Sequence, residues 1–175
     1  SYLMGYCNIF DKRITTIDGP EIHGMERAIY WNEDGVTVWG IDASIGHIWD
    51  CGLSIRFNYS WMKETWHVYY SDFTQPRNHS MTWRLGYEHR FSRYYALDAA
   101  LSGRNQGKPQ SGRTDVDQGY TIWKLMLQHH IWKGITLNTA IDNLFNYKPN
   151  GYYYNSPLTT GTSFSVGLSI DVNQL

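Results

Sequence analysis

Along most of this chain apolar and polar residues alternate with a period of two, and one of the two sets carries no ionic side chain. A period of two puts successive side chains on opposite faces of a strand, and no helical period longer than two turns competes with it. The alternation predicts eight strands, at about 2–14, 35–48, 52–63, 80–91, 94–104, 119–131, 135–146 and 161–172. On the second, Trp39, Ile41, Ala43, Ile45 and His47 oppose Gly40, Asp42, Ser44 and Gly46. The third sets Leu53, Ile55, Phe57, Tyr59 and Trp61 against Ser54, Arg56, Asn58 and Ser60. The fourth sets Met81, Trp83, Leu85, Tyr87, His89 and Phe91 against Thr82, Arg84, Gly86, Glu88 and Arg90. Strands five to eight repeat the split. Across the positions so assigned on these seven strands the apolar face has no Asp, Glu, Lys or Arg, although such residues make up 18% of the chain. The opposite face holds Asp42, Arg56, Arg84, Glu88, Arg90, Asp98, Lys124, Asp142 and Asp171. In the first strand apolar residues fall on both parities, so its faces stay unassigned.

The connections alternate as well. Long segments at 15–34, 64–79, 105–118 and 147–160 are separated by the short turns Trp49-Asp50-Cys51, Ser92-Arg93 and Trp132-Lys133-Gly134. One end of the sheet therefore has tight turns and the other long loops, the asymmetry of an outer-membrane β-barrel. Each charge on a lipid-facing surface would cost about 2–4 kcal/mol at mid-bilayer, which explains an uncharged face. The same parity arises when a half-buried sheet packs on a second one. Ring placement favours the bilayer: Trp39, Tyr59, Trp61, Trp83, Trp123 and Phe164 lie toward the loops, and Trp49, Phe91, Tyr95 and Trp132 toward the turns. Two aromatic belts around an aliphatic band match the two interfaces of a membrane. Charges of both signs on the other face suit a hydrated lumen in which they pair across strands.

With 15 Lys+Arg against 16 Asp+Glu there is no basic footprint, and no nucleic-acid partner is expected. No apolar run reaches the roughly 18 residues of a spanning helix. The opening residues carry no leader pattern, which fits either a processed protein or a piece of a longer one. Cys7 sits in a predicted strand and Cys51 in a turn, so two free thiols are expected rather than a disulfide. Catalytic motifs are missing, and the reading is not an enzyme. His129 and His130 are adjacent in a strand and point to opposite faces, so no metal site is expected, and no cofactor either.

The C-terminal stretch 135–147, with Asp142, Asn143, Leu144 and Phe145, followed by 161–172, resembles the end of TonB-dependent outer-membrane receptors. The stretches 38–44 and 52–59 are similar to a strand pair of that family, so the resemblance runs from about residue 35 to the end. It implies a transmembrane β-barrel of about 22 strands around an N-terminal plug, of which eight strands are the last third. Residues 1–175 are then one barrel segment with no plug domain. It implies an assembly signal in the final strand, matched by Ser165, Gly167, Ile170 and Val172. Thr160-Gly161-Thr162 and the ending Asn173-Gln174-Leu175 depart from the family's usual residues before and after that strand. The resemblance further implies import of a scarce nutrient of the siderophore, haem or cobalamin class across the bacterial outer membrane. The partners it implies are outer-membrane lipid, the barrel-assembly machinery, TonB acting through a plug outside this chain, the small-molecule nutrient and an accessory lipoprotein.

Two other classes fit the residues. Eight strands of this length also make a complete small barrel with a structural or adhesive role. A soluble carbohydrate-binding β-sandwich is the other. For the receptor reading, ligand contacts are expected from the ring-rich loops: His23 and Trp31 in the first, Trp66, His67, Tyr69, Tyr70, Arg77 and His79 in the second, and Tyr152, Tyr153 and Tyr154 in the fourth. Arg104 and Arg113 of the third loop belong to the same group.

Overall fold

The computed structural model describes residues 1–65, 77–108, 119–149, 159 and 161–172. The protein is all-β. Eight strands, β1 (Tyr2–Ile22), β2 (Met25–Ile48), β3 (Leu53–Thr65), β4 (His79–Arg90), β5 (Ala96–Gln106), β6 (Tyr120–Trp132), β7 (Ile135–Asp142) and β8 (Ser163–Ile170), form one antiparallel sheet in chain order. Among the described residues β1 pairs only with β2 and β8 only with β7, so the sheet is open. Among the described residues the sheet does not close into an eight-stranded barrel, and no second sheet covers either face as a sandwich would require.

Register joins the parities of neighbouring strands into two continuous faces. Ile45, Phe57, Trp83, Gly103 and Trp123 are successive cross-strand partners on the apolar face. Gly103 has no side chain, so the Trp83 ring lies over it and meets Trp123 edge-on at 4.7 Å between centroids. The faces of β1 follow from its partners. Leu3, Cys7 and Ile9 oppose Ala43, Trp39 and Thr37 on the apolar face, while Tyr2, Met4 and Tyr6 oppose Ser44, Asp42 and Gly40 on the polar one.

The apolar face is not buried by protein. Leu85 is 44% exposed and Leu168 61%, and Val36 and Ala100 are the only buried apolar side chains among the described residues. At the turn end His89, Phe91, Tyr95 and His129 form a chain of ring contacts with centroids 4.6–6.3 Å apart, and the Tyr95 hydroxyl lies 3.2 Å from His129 Nδ1. A bulge at His130/Trp132 pairs Trp132 with Ile135, and its ring stacks on Tyr94 at 4.3 Å.

One connection differs from expectation. Residues 15–34 are not a loop: they extend β1 and β2 into a ribbon closed at His23 and Gly24, whose φ values of 53° and 78° are those of a two-residue primed turn. Gly19 and Pro20 hide the alternation in the sequence. Pro20 is tolerated because β1 is an edge strand, and the register shifts between Gly19 and Ile22. Among the described residues β3 follows β2 as far as the Thr37–Thr65 pair. Arg13 ties the ribbon back by donating to Glu33 at 3.2 Å and to Glu64 on β3.

The polar face also departs from the pairing expected. Like charges stand directly opposite each other at Arg56–Arg84 and Glu88–Asp98. Its hydrogen bonds come chiefly from neutral groups: Ser44 donates to Asn58 at 2.8 Å and Asn58 to Thr82 at 3.0 Å, linking three strands. His130 Nε2 lies 2.9 Å from Asp98 and its Nδ1 3.0 Å from Thr136, linking three more. Both cysteines are free thiols.

Candidate functional site at the long-loop end

Where β3 to β6 approach the long connections, the polar face forms a hollow of about 400 Å³ lined by Ser60, Met62, Arg77, Asn78, His79, Ser80, Arg104, Gln106 and Tyr120. The backbone sets its rim. Met62 N–H donates to the Asn78 carbonyl at 2.9 Å, and Gly107 N–H donates to the His79 carbonyl at 2.8 Å, carrying the β3–β4 and β4–β5 pairings past the regular strands. Arg77 donates to the Gly107 carbonyl at 2.6 Å and its guanidinium carbon lies 5.6 Å from the centre of the Tyr120 ring. With its oxygen turned inward, the Gln106 amide accepts from Ser80 Oγ at 2.7 Å and from Arg104 Nε and Nη2 at 3.0 and 2.9 Å.

Among the described residues, two guanidiniums thus share a lining that includes no carboxylate. Arg77 is oriented by a carbonyl and a ring, and Arg104 by an amide oxygen. Fixed cations in a concave, partly shielded surface attract anions. Such a site binds carboxylate or phosphate groups through charge-assisted hydrogen bonds. Among the described residues no group of three His, Cys, Asp or Glu side chains is placed to hold a metal ion.

Of the residues singled out from sequence, Arg77 lies in the hollow. His79 also lines it, but it pairs with Trp61, which places it on the apolar parity, and its ring packs against Gly107. His23 and Trp31 sit apart from the hollow, on the β1–β2 ribbon: His23 is in the end turn and Trp31 is half exposed opposite Thr15. Trp66, His67, Tyr69, Tyr70, Arg113, Tyr152, Tyr153 and Tyr154 lie outside the described residues. Gln106 and Tyr120 were not singled out; their polar-face parity at the upper ends of β5 and β6 is the signal that identifies them.

The four-residue motif has a structural role that its sequence does not announce. Asn143 is 3% exposed at φ 50°. Its side chain accepts from Tyr147 N–H and donates to the Tyr147 carbonyl and to Thr159 Oγ1. Its own carbonyl accepts from Thr162 Oγ1 and Asn146 N–H. Asp142 Oδ1 accepts the Asn143 N–H, Leu144 N–H donates to the Trp123 carbonyl, and Phe145 meets the Trp123 ring at 5.9 Å. The motif is the fastener between the end of β7 and the start of β8. On β8, Ser165 and Gly167 pair with Ala140 and Asn138 on the polar face, while Ile170 is exposed on the other; Val172, two residues past the strand, is also exposed.

Comparison with known proteins finds no matching family model, no curated protein and no solved structure that resembles the chain.

Proposed function

We propose that this chain is a segment of the wall and outer mouth of a TonB-dependent outer-membrane receptor, which binds a scarce small-molecule nutrient at its long-loop end. The observation that carries the membrane part is the apolar face itself. It runs across the sheet, carries no charge over residues 37–47 of β2, residues 53–61 of β3 and the whole of β4 to β8, and is left open by the described residues, as with Leu85 and Leu168. Exposed apolar area of this extent is a liability in water and suited to hydrocarbon. The open edges of β1 and β8 are compatible with further strands, since bare strand edges in lipid leave backbone groups unsatisfied. The receptor part rests on the similarity of the 142–145 motif and the β8 signature to that family, and the cationic hollow gives the outer end a place for an anionic group.

Labelling single cysteines in a Cys7→Ser, Cys51→Ser background with a membrane-impermeant maleimide tests this. In outer-membrane preparations Leu85→Cys should stay unlabelled while Arg84→Cys, on the opposite face, labels readily. Equal labelling at both positions defeats the membrane reading.

A further inference from the structure

Below the hollow the polar face carries most of its cations in one tract, with Arg90 apart at the turn end. Arg56 on β3 stands opposite Arg84 on β4, and the same rung continues through Ser102 on β5 to Lys124 on β6 and Asp142 on β7. One rung nearer the long loops Arg104 stands between Thr82 and Ile122, and Arg77 follows at the rim. Directly opposed Cβ atoms are about 5 Å apart, and successive rungs of one face about 7 Å. Five cations therefore form a continuous path from the mouth to mid-sheet.

The path has defined ends, and among the described residues the acid in direct register with it is Asp142, opposite Lys124. Among the described residues Arg56, Arg84 and Lys124 form no ion pair. Asp142, the acid at the end of the rung, has one carboxylate oxygen engaged by the Asn143 N–H. Asp42 lies on the polar face two strands to the side of Ser80. Toward the tight turns the next rung, through Ser54, Gly86, Ala100 and Met126, carries no charge. The rung after it places Glu88 opposite Asp98. Opposed like charges weaken a sheet, so Arg56–Arg84 is a standing cost that an anion between them would remove.

We propose that this tract binds a multiply charged oxyanion solute, carboxylate or phosphate in type, which enters by the Arg77–Arg104 hollow and is held above the Glu88–Asp98 rung. The tract itself rests on register and charge; that the solute is cargo rests on the receptor reading. Titration calorimetry of the full chain in detergent micelles with citrate, tripolyphosphate and acetate tests it. One or both multivalent probes should bind at least tenfold more tightly than acetate, with affinity falling as salt rises. Citrate alone assigns carboxylate chemistry and tripolyphosphate alone phosphate. The double substitution Arg56→Gln, Arg84→Gln should weaken binding about tenfold or more without loss of fold, because it removes repulsion. Lys63→Gln, at a position paired with Trp39 on the apolar parity, should change nothing. No preference over acetate, or undiminished binding by the double variant, overturns the proposal. Anion binding that persists while the cysteine-labelling contrast fails would remove the receptor reading and leave the tract standing.

Discussion

The side chain of Asn143 and the backbone of Tyr147 form a reciprocal pair of hydrogen bonds, 2.8 Å from Tyr147 N–H to Oδ1 and 2.7 Å from Nδ2 to the Tyr147 carbonyl. The amide thus imitates a strand partner where the chain leaves β7. Removing it strands a buried donor and acceptor, each costing about 1–3 kcal/mol. Asn143→Ala should destabilise the fold by about 3 kcal/mol or more in urea titration followed by tryptophan fluorescence. Asn143→Gly relaxes the backbone at φ 50° yet loses the same bonds. If Gly restored full stability, the amide contacts would be incidental.

Gly52 closes the first tight turn at φ 87°, accepting the Glu88 N–H on its carbonyl at 2.9 Å. A Cβ there would come 1.9 Å from the Glu88 carbonyl oxygen. Because the obstacle is backbone, Gly52→Ala must open the β3–β4 ladder near its turn end, at a cost of about 3 kcal/mol or more. Cys51→Ala, one residue away and exposed, should stay within about 0.5 kcal/mol. Heat-induced mobility shift in SDS compares the two directly.

Gly103 and Trp83 are coupled through shape. A Cβ on Gly103 would lie 2.3 Å from the indole ring, and this obstacle is a side chain that a second substitution can remove. Gly103→Ala alone should destabilise by about 1–3 kcal/mol, and in a Trp83→Leu background by markedly less. A coupling energy near zero in the double-mutant cycle would mean that the ring does not need the gap.

Leu85→Arg separates lipid from water. Leu85 is 44% exposed at mid-strand, so in aqueous surroundings arginine there should be nearly neutral. Against hydrocarbon it should cost about 2–4 kcal/mol, read by refolding into phosphatidylcholine vesicles at graded urea concentrations. A neutral result in vesicles argues against bilayer contact at this face.

Strand number, order and facing are legible in the sequence because parity is a local property, visible wherever one face must avoid charge. It fails where parity is interrupted. Gly19 and Pro20 break the pattern in β1, and only the partner strand, with Ile17 opposite Ile29, shows that the ribbon continues. β1 itself alternates poorly, since Tyr2, Met4 and Tyr6 are large side chains on the polar face, one of them filling the space over Gly40. The hollow was only half legible. Arg77 and Arg104 stand out by charge, but Gln106 and Tyr120 matter through register with Ser80 and with each other, and register is set by turn lengths that alternation does not specify. The like-charged pairs Arg56–Arg84 and Glu88–Asp98 have the same origin: composition shows both signs, and only alignment shows which meet.

The two margins of the sheet, unpaired among the described residues, carry a hazard of their own. β8 offers an accessible row of amide and carbonyl groups with Phe164, Val166 and Leu168 beside it, and β1 offers a complementary row at the far side. Copies docking margin to margin would leave the same pair of margins at each end of the stack, so nothing in the geometry stops growth. Purified alone, this polypeptide should form open-ended ribbons whose length rises with concentration. Whatever occupies those margins in the cell thus acts also as the terminator of that polymer.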